Sequence, residues 1–400
     1  MKQNVTLVCD LSFGSTGKGA IVGYIAKRLQ PDAIVTAWMP NAGHTFIEED
    51  GTTYVHTMLG NGVVSPRLKY VLIGPGSVIN PESLAKEILV ATERGLMTGV
   101  RVLIHPHAAV VTEQHREIEE KSMVGIGSTR KGCGAAIIQK VQRDPSNSCV
   151  AKDVMPDGTK YGATEPWSLW ELTTITEYNR VVDEAEEILV EGAQGFSLSI
   201  NQGMYPYTTS RDVTPMQILA DVGISFHKVK KIIGTMRIHP IRVANRYNEE
   251  GGMVGWSGPG YFDQKEISWD ELGVKPEKTT VTKLTRRVFT FSLEQARQAI
   301  RLCTPNEIFL NFVNYVTPEE AGEYVNIIDN LCLGVMDPRP KTALHGGCSS
   351  NRTVGVRYLG CGPKENHILD TFELLPGGAG QIKSVAGAIR SKLQEISKEK

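Results

Sequence analysis

The chain has 400 residues, of which 41% are apolar and 22% charged, a composition that excludes a disordered chain and allows one large or two modest domains. Lysine and arginine number 43 against 44 aspartate and glutamate residues, so the chain lacks the basic field that would draw it to nucleic acid or to a membrane surface. Seven cysteines without a Cys-x-x-Cys pair, no export signal and no membrane-length apolar run predict a cytoplasmic protein with reduced thiols.

The first predicted elements are a short β-branched strand over residues 5–9 and an amphipathic helix over residues 21–29. A glycine-rich stretch, residues 10–20, joins them. Such a turn lets backbone N–H groups approach a phosphate while the helix N-terminus faces it, and Lys18 adds a full positive charge. The stretch therefore predicts an anion cradle.

The motif within this stretch, Gly14-x-x-Gly17-Lys18-Gly19, differs from the standard P-loop. That pattern requires Ser or Thr directly after the lysine, where this chain has Gly19, and a glycine where this chain has Ser12. Considered alone, the motif is equally compatible with a plain tight connection between a strand and a helix.

Strands and helices alternate along the chain. A helix is predicted after the N-cap Asn80, with Pro81 in its first position and Gly95 at its end. Further strands are predicted over residues 33–37, 71–73, 100–104, 187–191, 231–235 and 308–313. This order favours right-handed crossovers within a mostly parallel sheet, whose ligands gather beyond the carboxyl ends of the strands.

Two later segments complete the predicted architecture. Residues 245–282 are rich in Gly, Trp and charge and indicate a small excursion from the sheet, so residues 1–400 are interpreted as one domain. Residues 384–400 place Val385, Ile389 and Leu393 on one stripe and predict a docked amphipathic helix.

His44 is the strongest candidate for proton transfer. It lies in a loop of small residues, 41–45, after a predicted strand, and the unperturbed histidine pKa of about 6.5 suits proton transfer near neutral pH. His105 and His107 alternate on one face of a predicted strand, but no third ligand stands at metal spacing, so a structural role is favoured.

Three other segments carry groups that suit anions or nucleotides. Residues 125–132 combine backbone donors, hydroxyls and two cations, which indicates a second phosphate site. Residues 191–195 place the amide of Gln194 at the carboxyl end of a strand. Arg286 and Arg287 suit an anion clamp, although paired arginines are also common on surfaces.

Seven short motifs occur in one order along the chain: Gly14-x-x-Gly17-Lys18-Gly19, Asn41-Ala42-Gly43-His44-Thr45, Gly127-Ser128-Thr129, Lys140-Val141-x-Arg143, Glu191-Gly192-Ala193-Gln194-Gly195, Tyr205-Pro206-Tyr207-x-Thr209-Ser210 and Gly362-Pro363. Each is weak alone, but together and in this order they resemble the adenylosuccinate synthetase family over nearly the whole chain. The resemblance implies an α/β fold like that of P-loop NTPases, with a mostly parallel central sheet flanked by helices and small excursions that form the aspartate and nucleotide loops.

The resemblance also implies a two-step, Mg2+-dependent reaction. A nucleoside triphosphate first phosphorylates the 6-oxygen of a purine monophosphate, and the amine of L-aspartate then displaces the phosphate. The physical basis is that a phosphate whose charge is held by Mg2+, Lys18 and backbone donors leaves readily, whereas a carbonyl oxygen does not.

The resemblance assigns roles to individual positions. The catalytic residues would be Ser15, Lys18 and His44, while Ser15 and the carbonyl of Gly43 would hold Mg2+. The nucleoside monophosphate would contact Asn41, Ser128, Thr129, Gln194, Thr209 and also Arg143 from the other subunit of a homodimer. The donor nucleotide would contact Gly14, Thr16, Gly17, Gly19, Thr45, Arg287, Asn311, Asn314, Gly362 and Pro363. L-aspartate would contact Thr280, Val281, Thr282 and Arg286.

Three departures from the family pattern bear on the substrates. Ser15 replaces the carboxylate that deprotonates purine N1, and a hydroxyl is not a base near neutral pH. Asn314 replaces the Asp that reads the guanine of GTP, and an amide suits adenine, which favours ATP or dATP. The aspartate loop, residues 280–287, is poor in Gly, and the arginine near the ribose 2′-hydroxyl has no clear counterpart.

These departures resemble the phage branch of the family, the 2-aminoadenylosuccinate synthetases, which join aspartate to dGMP on the route to 2-aminoadenine in viral DNA. A phage-encoded enzyme would act in the host cytoplasm. Two alternatives stay open: ordinary synthesis of adenylosuccinate from IMP, and a nucleotide-binding protein without catalysis. The group that deprotonates N1 is also open, with Asp10, a γ-phosphate oxygen and a water held by Ser15 as candidates.

Overall fold

The computed structural model describes residues 4–156, 168–279, 283–336, 354–374 and 382–399. Its strands, in chain order, are β1 (Asn4–Asp10), β2 (Ala33–Thr36), β3 (His44–Ile47), β4 (Thr53–His56), β5 (Tyr70–Ile73), β6 (Val78–Ile79), β7 (Arg101–Ile104), β8 (Ala109–Val110), β9 (Glu171–Leu172), β10 (Glu187–Glu191), β11 (Val229–Arg237), β12 (Ile241–Arg242), β13 (Arg246–Tyr247), β14 (Met253–Gly255), β15 (Glu266–Ile267), β16 (Arg287–Phe289), β17 (Glu307–Asn311), β18 (Gly355–Gly360) and β19 (Ile368–Asp370). The helices are α1 (Lys18–Leu29), α2 (Pro81–Glu93), α3 (Glu113–Ser122), α4 (Cys133–Gln142), α5 (Ala151–Val154), α6 (Ile175–Glu184), α7 (Pro215–Val222), α8 (Leu293–Cys303), α9 (Pro318–Met336), α10 (Thr371–Leu374) and α11 (Ile382–Lys398).

Ten of these strands form one central sheet in the order β19-β18-β17-β11-β1-β10-β2-β5-β7-β9. Every neighbouring pair is parallel except β18 and β19 at one edge. The predicted α/β fold with a mostly parallel sheet is therefore confirmed. The carboxyl ends of β1, β10, β11 and β17 lie side by side, which brings together loops that are far apart in the chain.

Helices cover both faces of the sheet, as the alternation of side chains in β1 shows. Leu7 and Cys9 belong to a buried cluster that includes residues of α6, α8 and α9. Val8 points the other way, into a cluster that includes residues of α1 and α2. Val385 and Ile389 of α11 are buried in the first cluster, so the predicted docking of the C-terminal helix is confirmed.

Two predictions about strands are wrong in detail. The predicted strand over residues 308–313 ends at Asn311, because Phe312 has a left-handed φ of 61° and Val313–Tyr315 form a 3-10 turn. His105 and His107 do not share a strand face, because β7 ends at Ile104 and both histidines lie in the turn that follows. Within the described residues, no group of three His, Cys, Asp or Glu side chains is arranged to hold a metal ion.

The predicted excursion, residues 245–282, contains the short strands β13, β14 and β15. β13 pairs with β14, and β15 belongs to an antiparallel three-stranded sheet with β12 and β16, which lie just outside the predicted bounds. A separate hairpin, β3–β4, pairs His44 with His56. In the part of the chain that the structure describes, no helix is long and apolar enough to cross a membrane.

Candidate active site

The glycine-rich stretch follows β1 and wraps around the fully buried carboxylate of Asp10. Asp10 Oδ1 accepts hydrogen bonds from the backbone N–H groups of Ser12 and Gly14 at 2.8 and 3.2 Å. Its Oδ2 accepts from Thr16 Oγ1 at 2.5 Å and from Lys18 Nζ at 2.9 Å. Four donors occupy the two oxygens, so Asp10 holds the loop and is not available as the base that deprotonates purine N1.

Lys18 joins this loop to the segment after β10. Its ammonium group also donates to the carbonyl oxygen of Gln194 at 2.7 Å. The two loops approach so closely that a Cβ at Gly195 would lie 2.3 Å from the backbone nitrogen of Gly14. Gly17, the N-cap of α1, has a φ of 87°, which favours glycine. Lys18 is thus fixed at the start of α1, where a phosphate would meet both its charge and the helix N-terminus.

His44 begins the β3–β4 hairpin and is held by Glu191, the last residue of β10. The His44 Nδ1 atom lies 2.7 Å from Glu191 Oε1. A carboxylate only accepts hydrogen bonds, so Nδ1 carries the proton and Nε2 is the nitrogen left for substrate. Burial lowers the pKa of His44 below its ordinary value although Glu191 acts to raise it, so the ring is neutral near pH 7.

Glu191 is itself held by two further contacts. Its Oε2 accepts from the backbone N–H of Asn61 at 2.8 Å, and its carbonyl oxygen accepts from Trp38 Nε1 at 2.8 Å. The Trp38 ring packs on the His44 ring with their centroids 4.1 Å apart. The orientation of the imidazole is therefore fixed by a hydrogen bond at one edge and an aromatic contact on one face.

The amides of Gln194 and Asn41 meet beside Lys18. Gln194 Nε2 donates to Asn41 Oδ1 at 2.8 Å, so these two predicted nucleotide contacts are neighbours. Gln194 has a left-handed φ of 56°, and its buried Oε1 has no partner among the described residues. A buried acceptor without a partner is costly, so this oxygen is suited to an N–H donor of a bound ligand.

The predicted monophosphate loop, with Ser128 and Thr129, lies between α3 and α4. Ser128 Oγ accepts from the backbone N–H of Arg130 at 3.2 Å, and the guanidinium of Arg246 donates to the Ser128 carbonyl. The buried carboxylate of Glu119 accepts from backbone N–H groups at the N-terminus of α4. These contacts anchor the loop at both ends and leave the Thr129 hydroxyl without a hydrogen-bond partner in the described part of the chain.

The other two predicted monophosphate contacts, Arg143 and Thr209, belong to other segments of the chain. Arg143 ends α4 in a left-handed conformation and is exposed. Ile138 and Val141 of the same helix are also exposed, at 59% and 66%. Thr209 is half-buried, and its backbone N–H donates to the carbonyl of Leu198 at 2.7 Å.

Ser15 stands at the turn of the glycine-rich stretch with a left-handed φ of 56°. Its hydroxyl has no partner among the described residues, whereas its carbonyl oxygen accepts from Arg237 Nη1 at 3.0 Å. Arg237 pairs with Glu277 at 2.5 Å, and Tyr315 Oη donates to the same carboxylate at 3.0 Å. Burial acts to raise the pKa of Glu277, but Arg237 and Tyr315 hold it below its ordinary value.

The predicted donor-base element adjoins this loop. Asn311 Nδ2 donates to the Thr16 carbonyl at 3.2 Å and Asn311 Oδ1 accepts from the Phe312 N–H at 2.8 Å. A Cβ at Gly360 would lie 2.0 Å from Asn311 Oδ1, so the amide is closely confined. Asn311 is therefore engaged within the protein, while Asn314, two residues after Phe312, is exposed.

Other predicted donor contacts fall in three places. Gly19 lets α1 approach the β3–β4 hairpin, because a Cβ there would lie 2.7 Å from the Thr45 carbonyl. Gly362 and Pro363 follow β18, which lies between β17 and the edge strand β19. Arg287 lies in β16, where it forms an ion pair with Glu266 at 2.5 Å.

The predicted aspartate site is only partly visible. Thr280, Val281 and Thr282 lie outside the described residues. Arg286 lies next to this segment, and its backbone N–H donates to the Glu277 carbonyl at 2.9 Å. Burial lowers the pKa of Arg286 to about 10, which leaves it a cation at neutral pH.

Three residues of the site received no role from the sequence: Glu191, which was quoted only as part of a motif, Arg237 and Glu277. Glu191 and Arg237 end the buried strands β10 and β11. A charged residue at the carboxyl end of a buried parallel strand is a usable signal, since that edge of the sheet binds ligands. Glu277 gave no such signal, because it lies in the excursion.

The amino-acid sequence matches the family model described as adenylosuccinate synthetase over residues 7–156 and 170–320. It is 46% identical to N6-succino-2-amino-2'-deoxyadenylate synthase of Acinetobacter phage SH-Ab 15497, over 93% of this chain and 94% of the relative. It is 47% identical to the synthase of the same name of Salmonella phage PMBT28, over 92% of this chain and 97% of the relative.

A solved structure of another phage synthetase is also similar to this chain. The succinoaminodeoxyadenylate synthetase of cyanophage S-2L, bound to dGMP and to dATP as an energy donor, superimposes with a TM-score of 0.80. The alignment covers 98% of this chain and 100% of the cyanophage chain, at 34% identity.

Proposed function

Since the chain belongs to the adenylosuccinate synthetase family and is therefore a carbon–nitrogen ligase, we propose that it joins L-aspartate to the 6-position of dGMP, with ATP or dATP as donor. The product is N6-succino-2-amino-2'-deoxyadenylate, and ADP (or dADP) and phosphate are released. The names of the phage relatives and the dGMP and dATP bound by the cyanophage enzyme support this choice of substrates.

The observation that carries the proposal is the free hydroxyl of Ser15. Its hydroxyl has no hydrogen-bond partner among the described residues, and the carboxylate of the same loop, Asp10, is occupied by four donors. A small neutral side chain leaves room beside purine N1 for the 2-amino group of guanine. The proton on N1 then passes to a γ-phosphate oxygen, directly or through a water held by Ser15, since a hydroxyl is not a base near neutral pH and Asp10 is occupied.

The proposed reaction has two steps, and different residues of the site act in each. In the first step the 6-oxygen of dGMP attacks the γ-phosphorus, the bond to the β-phosphate oxygen breaks, and Lys18 stabilises the charge on the transferred phosphoryl group. In the second step the aspartate amine attacks C6, the phosphate leaves with the bonding electrons, and the amine gives up a proton. His44 Nε2, which carries no proton in this tautomer, accepts that proton and returns it to the departing 6-oxygen, in the orientation that Glu191 and Trp38 impose.

Magnesium is the metal that we propose for this site. The free Ser15 hydroxyl fits Mg2+, which prefers oxygen ligands and is commonly held by few protein groups together with substrate phosphates. Ser15 and the Gly43 carbonyl would hold it, and it would neutralise charge on the phosphates.

A homodimer is part of the proposal. Arg143 is exposed beside two large exposed apolar residues of α4, Ile138 and Val141. Exposed apolar side chains next to a cation are suited to an interface that buries them and directs the cation into a partner's site. Arg143 would then contact the monophosphate bound by the other subunit.

One incubation tests the proposal. The protein is mixed with L-aspartate, Mg2+ and ATP, with either dGMP or IMP as acceptor, and the product mass is measured. Formation of the succinyl product from dGMP supports the proposal. A product from IMP alone would return the chain to ordinary adenylosuccinate synthesis, and no product from either would indicate a nucleotide-binding protein without catalysis.

A further inference from the structure

Two non-glycine residues with left-handed backbones lie on either side of one buried arginine. Ser15 has a φ of 56° in the glycine-rich stretch, and Phe312 has a φ of 61° after β17. A bulky residue rarely adopts this conformation, so Phe312 must be held in place by its surroundings. The residue between Ser15 and Phe312 is Arg237, at the end of β11, and its side chain is 0% exposed.

Arg237 contacts both residues at once. Its Nη1 donates to the Ser15 carbonyl at 3.0 Å, and its guanidinium carbon lies 3.9 Å from the centre of the Phe312 ring. Glu277 fixes the guanidinium through both of its carboxylate oxygens. One planar cation therefore uses its edge for the Ser15 turn and its face for the Phe312 ring, an arrangement that lysine cannot reproduce.

A second side chain joins the same two segments. Asn311 donates to the carbonyl of Thr16, next to Ser15, and accepts from the N–H of Phe312. The glycine-rich stretch and the Phe312 turn are thus connected twice, once through Arg237 and once through Asn311. These two connections hold Ser15, which we place beside the acceptor base, and Phe312, two residues before the proposed donor-base reader Asn314, in one rigid unit.

This arrangement is costly to maintain. Arg237 Nε is buried and has no hydrogen-bond partner among the described residues, and the guanidinium is removed from water. A left-handed phenylalanine adds backbone strain. Such costs are typical of functional sites, where surrounding contacts impose a geometry that the reaction requires.

We propose that Arg237 is a positioning residue that sets the geometry of both nucleotide sites together, through Ser15 on the acceptor side and Phe312 on the donor side. The assignment of the two sides rests on the proposed function. Loss of the guanidinium fork then changes the binding of both nucleotides, although Arg237 itself is buried and contacts neither.

The test compares Arg237→Lys with Phe312→Leu and with a control, Arg357→Lys. Arg357 also pairs with carboxylates on the central sheet, Glu307 and Asp370, but lies on β18 outside the site. We expect Arg237→Lys to raise the KM values of both dGMP and ATP by about tenfold, since the hydrogen bond to the Ser15 carbonyl is lost on one side and the stacking of the guanidinium on the Phe312 ring is lost on the other. Phe312→Leu should raise only the KM of ATP, and Arg357→Lys should change neither.

The double variant Arg237→Lys/Phe312→Leu gives the sharper readout. If Arg237 acts on the donor through Phe312, the two effects on the KM of ATP will be less than additive, because both variants remove the same contact. Full additivity, or an Arg237→Lys effect confined to one nucleotide, would overturn the proposal.

Two further measurements keep the result interpretable. If Arg237→Lys melts well below the Arg357→Lys control, the KM values of both nucleotides are measured instead for Glu277→Gln. This variant keeps the Arg237 guanidinium and weakens the contact that fixes it. Thermal shifts produced by dGMP and by ATP, each added alone, measure binding without turnover. A wild type that binds both nucleotides but makes no product would contradict the proposed function, while the shifts would still decide the role of Arg237.

Discussion

At the scale of single residues, three carboxylates of the described part of the site are buried or half-buried and all three are engaged. Asp10 holds the glycine-rich stretch, Glu191 holds His44, and Glu277 holds Arg237. Each accepts from at least two donors, so each serves to position a neighbour. The Ser15 hydroxyl, in contrast, has no hydrogen-bond partner among the described residues. This agrees with a purine acceptor whose N1 proton is taken by a group other than a carboxylate of the protein.

The pairing of Glu191 with His44 gives a prediction at this scale. Replacing Glu191→Gln offers an amide N–H to Nδ1 and so favours the tautomer with the proton on Nε2. We expect kcat to fall by about two powers of ten, the scale of a misplaced acid or base, with the KM for ATP little changed. The measurement is steady-state kinetics of Glu191→Gln, His44→Ala and the double variant. A double variant much slower than His44→Ala alone would show that Glu191 acts other than through His44.

Asn314 gives a second residue-scale prediction, on the choice of donor. An exposed amide both donates and accepts and so suits adenine, whereas a carboxylate suits the N1–H and 2-amino donors of guanine. Asn314→Asp should shift the ratio of kcat/KM for ATP to that for GTP toward GTP, because each mismatched buried pair costs about 1–3 kcal/mol. Equal use of the two donors by the wild type would mean that the donor base is read elsewhere.

At the scale of elements, the sequence predicts the sheet well and its junctions less well. The strands over residues 5–9, 187–191 and 231–235 are confirmed, because short buried β-branched runs have few alternative structures. The predicted end of β17 was wrong because Phe312 leaves the strand conformation and is held by contacts with Asn311 and Arg237. The contact with Arg237 joins distant parts of the chain, so no local sequence pattern indicates it. The Glu191–His44 contact was missed for the same reason, since it joins residues 147 positions apart.

The junction between β17, β18 and the glycine-rich stretch yields an element-scale prediction. A Cβ at Gly360 would lie 2.0 Å from Asn311 Oδ1, so Gly360→Ala should displace Asn311 and release both Thr16 and Phe312. We expect a raised KM for ATP and a lower melting temperature. The matched control is Gly387→Ala in α11, where nothing lies within 4 Å and alanine should stabilise the helix by roughly 0.5–1 kcal/mol. A Gly360→Ala protein with an unchanged KM for ATP would rule out this role for the junction.

At the scale of the whole molecule, the proposed dimer makes each active site depend on two chains. Arg143→Ala and Lys18→Ala chains should each be inactive alone. Mixed with random exchange of subunits, about half of the dimers contain one chain of each kind, and each of these has one intact site. Activity should therefore recover to about a quarter of the wild-type value in a rate assay of the mixture. No recovery after demonstrated exchange would place Arg143 within its own subunit's site or outside catalysis.

The central claim, that the chain is a dGMP-specific ligase because Ser15 stands where the family has a carboxylate, is tested most directly by comparing acceptors. The measurement is kcat/KM for dGMP and for IMP, with the wild type and with Ser15→Asp. We expect the wild type to prefer dGMP strongly, since a pocket that pairs with the 2-amino group leaves its partners unpaired with IMP at about 1–3 kcal/mol each. Ser15→Asp should lower the rate with dGMP and raise the rate with IMP. A wild type that prefers IMP, and is merely improved by Ser15→Asp, would contradict the account.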